Sequence, residues 1–387
     1  MCRWARERRR SAVAETPKKA DRLTPGFHTF APYDEDTAPL PTQDPGTLAP
    51  HTTLHVGGPA RKFLVAETED ALIETVLTAD NAGEPLLLLG GGSNVLIGDD
   101  GFDGTVVLIR TTGITADVDA SGATVTVAAG ESWDEFVAHT LAQGWSGLEA
   151  LSGIPGLVGA TPIQNVGAYG SEVADTITRV RTLDRATGEL TTFAPADCGF
   201  GYRWSRFKAE PGRWVILSVT FRLPLGEMSA PVRYAELART LGIEVGERAD
   251  ATAVREAVLG LRRGKGMVID EADHDTWSAG SFFTNPIVSG EVAAGLPENA
   301  PRFATDDGRV KTSAAWLIDR AGFAKGFGTE VGEGRATLST KHTLALTNRG
   351  TASAADLLEL ARIVRAGVAE KFGITLVPEP VLVGCAL

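Results

Sequence analysis

The sequence predicts an α+β fold with mixed strands. Helix-like and strand-like stretches both occur, but without the regular strand–helix alternation of a doubly wound sheet. The run Gly90-Gly91-Gly92-Ser93-Asn94-Val95 follows a short apolar stretch, yet Val95 stands where the dinucleotide fingerprint G-x-G-x-x-G needs its last glycine. A second glycine-rich stretch, 152–169, has no helical or strand period at all.

Residues 1 to about 50 are rich in Arg, Lys, Pro and Thr and show no sustained period, so a disordered extension is expected there. Its start, MCRWARERRR, lacks the apolar stretch of a secretory signal. From Thr52 the texture becomes globular. A helix is predicted over 69–82 behind the cap Thr68. The four leucines at 86–89, between Pro85 and the glycines, read as a buried strand. Strands are also predicted at 106–109, 123–128 and 180–183, and a helix at 133–143. The alternating stretch 215–223 is a strand that ends at Pro224.

A second texture begins near Met228. Helices are predicted over 251–260 and 311–321, the latter with Ala314, Leu317, Ile318 and Ala321 on one face. A strand follows at 344–347. The clearest helix, 354–371, ends at Phe372-Gly373. The last strand, 376–383, carries Glu379 between Pro378 and Pro380, which implies a sheet edge or an irregular end.

Composition narrows the function. With 387 residues, two or three domains fit, and a hydrophobic share of 43% is that of an ordinary soluble protein. A net charge of −12 argues against a nucleic-acid partner. No apolar run approaches the ~20 residues that span a bilayer, so no membrane partner is expected. Cys2, Cys198 and Cys385 form neither metal-ligand spacing nor a disulfide framework, which favours a cytoplasmic protein without a bound metal. The sequence carries no oligomeric signature and is compatible with a monomer.

Several residues stand out chemically. Gly90, Gly91 and Gly92 can turn successive N–H groups toward one point, making an anion nest to which Ser93 and Asn94 add side-chain bonds; a plain tight turn is the alternative. Gly153, Gly156, Gly159, Gly167, Ala168 and Gly170 let backbone lie flat against a planar ligand, or simply pack closely. Gln164 and Asn165 offer amide donors and acceptors to ring edges. Arg203, after the aromatic Tyr202, can pair a carboxylate in a fork, although such residues more often form surface pairs. Tyr234 and Lys265 are unspecific taken singly. Glu379, among prolines and apolar residues, points to a function or to a structural ion pair. Ser281, in the run SAGSFFTNP, sits after a glycine and beside two aromatics, where a tight turn can hold its hydroxyl against a ligand.

Taken together, TTLHVGGPA, LLLLGGGSNVLI, GLEALSGIPGLVGATPIQNVGAYG, CGFGYRWSRFK, AGSFFTNPIV, KTSAAWLIDRAGFAKG and EKFGITLVPEPVLVG resemble the UDP-N-acetylenolpyruvoylglucosamine reductase (MurB) family over about residues 52–384. The resemblance is to the type I branch. It implies two FAD-binding lobes of the VAO/PCMH type over 51–229 and a smaller substrate-binding domain over 230–352. Residues 353–387 are then a C-terminal helix and strand returning to the FAD lobes.

The resemblance also implies roles. Ser281 matches the proton donor, and Arg203 and Glu379 match the groups that stabilise the reduced intermediate. Gly90 to Asn94, Gly153 to Gly156 (with Ile154 and Pro155), Gly159, Gln164, Asn165 and Gly167 to Gly170 (with Tyr169) match FAD contacts. Tyr202, Tyr234, Lys265 and Asn285 match positions that hold the sugar nucleotide or NADPH. The implied chemistry runs from NADPH to FAD N5 and then to the enolpyruvyl alkene. Thr284 and His342 depart from relatives that carry lysine and glutamine there. Two rival readings are another PCMH-type flavin oxidase, acting on a sugar or hydroxy acid, and a non-catalytic sugar-nucleotide binding protein.

Overall fold

A computed structural model of the chain describes residues 42–43, 46–305 and 307–387. Most of the expected extension, and Cys2 with it, lies outside the described residues. Its end is built onto the fold. Gln43 donates its backbone N–H to Phe63 at 2.9 Å, and Leu48 is fully buried beside Phe63 and Ile97. The expected boundary at residue 50 therefore falls inside packed chain.

The first lobe comprises β1 (Ala60–Ala66), α1 (Glu69–Asn81), β2 (Leu86–Leu89), β3 (Val95–Ile97) and β4 (Phe102–Ile109). Its parallel sheet has the order β1-β4-β2. Helix α1 starts where expected because the Thr68 hydroxyl accepts the Ala71 N–H at 3.2 Å.

The second lobe comprises β5 (Ile114–Asp119), β6 (Gly122–Ala128), α2 (Trp133–Ala142), β7 (Gly167–Ala168), β8 (Ser171–Glu172), β9 (Ile177–Asp184), β10 (Glu189–Phe193), α3 (Arg206–Ala209) and β11 (Trp214–Leu223). Its main sheet is antiparallel, in the order β10-β9-β11-β6-β5. Strands β1, β3, β5, β7, β8 and β10 were not foreseen. Five of the six β5 residues are exposed, and Arg61 and Lys62 interrupt β1, so apolar periodicity is weak there. The lobes share one core: Leu72, Ile73 and Val76 of α1 pack with Leu64 and Val107 of one sheet and Leu183, Val215 and Leu217 of the other.

Next come α4 (Ala235–Leu241) and α5 (Ala251–Gly264), which close a small core around Val232, Leu237, Val254 and Val258. Helix α5 begins where Asp250 accepts the Ala253 N–H at 2.8 Å and runs one turn beyond the expected end, so Lys265 caps it.

The remainder comprises β12 (Ile287–Val288), α6 (Gly290–Ala294), β13 (Phe303–Ala304), β14 (Val310–Lys311), α7 (Ala314–Arg320), β15 (Ala336–Leu338), β16 (Leu346–Asn348), α8 (Ala354–Phe372) and β17 (Val381–Val383). Helix α7 starts at Ala314 instead of 311, because Lys311 pairs within a sheet and Ser313 caps the Trp316 N–H at 3.2 Å. The last strand is shorter than expected. Pro378 and Pro380 supply no N–H, and pairing begins at Val381, opposite Val95 of β3.

The region 230–352 has two cores, not one. Helix α8 contributes Leu357, Leu360, Ala361 and Val364 to the same core as Phe282, Leu317 and Leu346, together with Leu54 and Leu96 from the first lobe. The return of the chain to the lobes is thus made by β17 through its pairing with β3, while α8 supports the 282–346 unit.

Candidate active site

A cavity of about 510 Å³ opens where the two lobes, α5 and the Ser281 run meet. Its floor is backbone. Gly91 approaches so closely that a Cβ there would lie 2.8 Å from the Gly156 Cα. Gly92 has φ +61°, and a Cβ on it would sit 2.0 Å from the His51 carbonyl oxygen. The Ser93 hydroxyl donates to the Pro155 carbonyl at 3.0 Å, tying the two glycine segments together. A side chain at either position would collide with neighbouring backbone, so the glycines permit the close packing of chain segments that forms the floor.

One end of the cavity gathers the charged groups. Glu379 is held there because its N–H donates to the Phe282 carbonyl at 2.8 Å, while Phe282 and Phe283 are 1% exposed in the core behind. The same strand-like pairing brings Ser281 alongside. Ser281 lines the cavity, and among the described residues its hydroxyl has no hydrogen-bond partner. Nε of Arg203 lies 3.0 Å from Oε1 of Glu379. It is a close charge contact, and among the described residues that N–H has no well-aligned hydrogen-bond partner. Arg203 is fixed at φ +52°, with its Nη2 donating to the Gly167 carbonyl at 2.8 Å. A non-glycine residue held in this region is strained, and such strain concentrates at functional sites.

Gln164 bridges cradle and charge. Its Nε2 donates to Glu379 Oε1 at 3.2 Å, and its Oε1 accepts from Asn94 Nδ2 at 3.1 Å. Burial pushes the Glu379 carboxyl above the usual range, against the pull of Arg203 and Lys208.

The opposite wall carries Tyr169, Tyr234 and Lys265. The two tyrosine rings meet edge to face at 5.5 Å, and the Lys265 ammonium lies 5.6 Å from the Tyr169 ring centre. Burial pulls the Lys265 pKa down, but its 2.6 Å bond to Glu236 and the nearby tyrosine outweigh this and leave it raised. His342 also lines this wall. Its Nδ1 accepts the Leu344 N–H at 3.0 Å, and burial, then Lys265 and Lys325, push its pKa down to about 4.

Not every expected residue reaches the cavity. Asn165 is fully buried with its amide committed to Glu172, Gly201 and Ala174, so it shapes the loop and meets no ring edge. Gly153 and Gly159 make room for Leu259 and Ala129, and Gly170 turns between β7 and β8 against Arg233. Tyr202 and Asn285 stand behind the charged end. The Asn285 N–H donates to the Tyr202 hydroxyl at 3.4 Å, and the Asn285 Oδ1 accepts the Ala314 N–H that opens α7. Conversely, Arg262 lines the cavity and was not foreseen; it is 8% exposed and donates to the Gly153 and Met267 carbonyls. Only its place on the apolar side of an amphipathic helix could have marked it.

The lining fits a flavin: backbone at Gly90–Gly92 beside a wall of small residues, with the amides of Asn94 and Gln164 at its edge. Comparison with known proteins agrees. Residues 60–194 match the FAD binding domain family, and residues 271–383 match the UDP-N-acetylenolpyruvoylglucosamine reductase C-terminal domain. The UDP-N-acetylenolpyruvoylglucosamine reductase of Cutibacterium acnes is 62% identical, covering 88% of this chain and 90% of that protein. That of Streptomyces coelicolor is 58% identical over the same shares. The crystal structure of the Thermus caldophilus reductase (MurB) superposes with a TM-score of 0.59 at 27% identity, covering 89% of this chain and 99% of that one. With an FAD-binding domain matched and such relatives along most of its length, the chain is a member of the UDP-N-acetylenolpyruvoylglucosamine reductase family, an FAD-binding oxidoreductase.

Proposed function

We propose that the protein reduces UDP-N-acetylglucosamine enolpyruvate to UDP-N-acetylmuramate with NADPH as reductant, in the cytoplasm, as a step of peptidoglycan precursor synthesis. The observation that carries this reading is the meeting of Ser281, Arg203 and Glu379 at one end of a glycine-floored cavity. FAD, when bound, supplies the two-electron relay between nicotinamide and alkene. The backbone of Gly90–Asn94 would hold its phosphates, and Ile154–Gly156 with Gly167–Tyr169 would flank its rings.

Reduction of the alkene places a hydride on the terminal carbon and builds negative charge on the neighbouring carbon and its carboxylate. Arg203 offsets that charge, using the N–H left unspent beside Glu379. Glu379, whose carboxyl is raised by burial, acts in its protonated form or through its hydrogen bonds. Ser281 then gives a proton to the charged carbon. Lys265 and Tyr234 hold the nucleotide diphosphate across the opposite wall, while Tyr202 and Asn285 brace the charged end.

Mass analysis of a mixture of protein, NADPH and UDP-N-acetylglucosamine enolpyruvate tests the proposal. A product two hydrogens heavier, formed one per NADPH consumed, is the expected result. NADPH consumption without that product contradicts it.

A further inference from the structure

A buried carboxylate outside the cavity has no role in the chemistry above. Glu149 is 1% exposed, and among the described residues no Lys, Arg or His pairs with it. A buried, unpaired acid is costly unless hydrogen bonds satisfy it. Here two backbone amides do so. Oε2 accepts the Gly147 N–H at 2.6 Å, and Oε1 accepts the Ala230 N–H at 2.6 Å. The second bond spans 81 residues of sequence and joins two functional segments.

On one side, Glu149 opens the short 3-10 turn Glu149–Leu151, which leads directly into the flavin-wall segment; the Ser152 hydroxyl fastens that turn by donating to the Glu149 carbonyl at 2.7 Å. On the other side, Ala230 is four residues before Tyr234. The chain between is stiff: Pro231 fixes one torsion, and Val232 is 4% exposed and exchanges backbone bonds with Glu247 and Gly246. Tyr234 itself is exposed, lines the cavity and touches Tyr169 edge to face. Its position thus depends on where the Ala230 end is tied.

We propose that Glu149 is a positioning residue that sets Tyr234 over the substrate by anchoring Ala230 to the flavin-wall segment. The proposal rests on the reading of Tyr234 as a substrate contact. Glutamine cannot replace the carboxylate, because one end of its amide is a donor facing a donor.

The test uses the flavin-loaded enzyme and three variants. In Glu149→Gln, KM for UDP-N-acetylglucosamine enolpyruvate is expected to rise about tenfold, as loss of one such bond implies, with the rate of flavin reduction by NADPH unchanged. Ala230→Pro removes the donor and leaves Glu149 in place; it is expected to raise KM similarly, and it decides the matter if Glu149→Gln does not fold. Tyr234→Phe checks the underlying reading, since it too is expected to raise this KM. A raised KM in Tyr234→Phe with wild-type KM in the folded anchor variants overturns the role of Glu149 alone. Wild-type KM in Tyr234→Phe overturns the reading on which it rests. Equal loss in both half-reactions would mean that Glu149 only supports the fold.

Discussion

Arg203 and Glu379 meet through a single oxygen: Nε of the arginine lies 3.0 Å from Glu379 Oε1, and the Gln164 amide donates to that same atom at 3.2 Å. The carboxylate therefore carries a charge contact and a neutral bond on one side, in a buried place that favours its proton. Glu379→Gln removes the ionisable group and keeps the shape. Stopped-flow reoxidation of reduced enzyme by the enolpyruvyl substrate is expected to slow by about 10²–10³-fold, with reduction by NADPH within about twofold of wild type. A slowed first half-reaction instead would place Glu379 with the nicotinamide.

Ser281 gives a sharper separation. Its hydroxyl is small and has no hydrogen-bond partner among the described residues, so Ser281→Ala leaves the core behind it intact. The second half-reaction is expected to fall by about 10²–10⁴-fold and the first to stay unchanged. Solvent deuterium incorporation at the protonated carbon, followed by mass analysis, reads the same step.

The cradle is tested at Gly92. Alanine there must adopt φ +61° and place Cβ against the His51 carbonyl. Gly92→Ala is expected to cost about 1–3 kcal/mol of stability and to lower FAD retention. Calorimetry and the flavin-to-protein absorbance ratio check both.

His342 gives a pH dependence. Its folded pKa, about 4, is below the ordinary ~6.5. The unfolded chain then binds the proton first as pH falls, so this residue's contribution is complete above about pH 6.5 and is lost on the way down to about 4. The imidazole NMR signals are expected to titrate near pH 4, and His342→Gln is expected to flatten the acid loss of stability in that window.

Asp356 behaves similarly at lower pH. It forms a capping box with Ser353 and accepts two bonds from Arg335, which, with the largest effect, hold its carboxyl down to about 2. Its contribution is present above the ordinary carboxylate range and is lost as pH falls through about 2. Asp356→Asn is expected to lower stability by about 1–3 kcal/mol at pH 7. The difference from wild type should close in acid.

How much of this was legible in the sequence depends on range. Elements with strong local signals were read well: Thr68 before α1, Gly373 after α8, the leucines of β2. Strands with charged or exposed faces, such as β1 and β5, gave no period to read. Helix α7 was placed three residues early because the sheet pairing of Lys311 is a long-range fact. At the site, the glycine runs, Arg203, Ser281 and Glu379 stood out because their residue types are unusual in context, and the structure brings them to one cavity. Asn165 does not line the cavity, since a buried loop also needs amides, and Glu172, Gly201 and Ala174 claim this one. Arg262 carried only a weak mark, its place on the apolar side of a helix, and Glu149 none, because a turn residue carries no mark until distant backbone meets it.

The proposed function requires a two-stage redox cycle in one cavity. The most direct measurement is the anaerobic visible spectrum of the FAD-loaded protein as NADPH is added, followed by UDP-N-acetylglucosamine enolpyruvate. The flavin band is expected to bleach with NADPH and to return, without air, when the enolpyruvyl substrate arrives. A band that returns only with oxygen would contradict it and favour an oxidase.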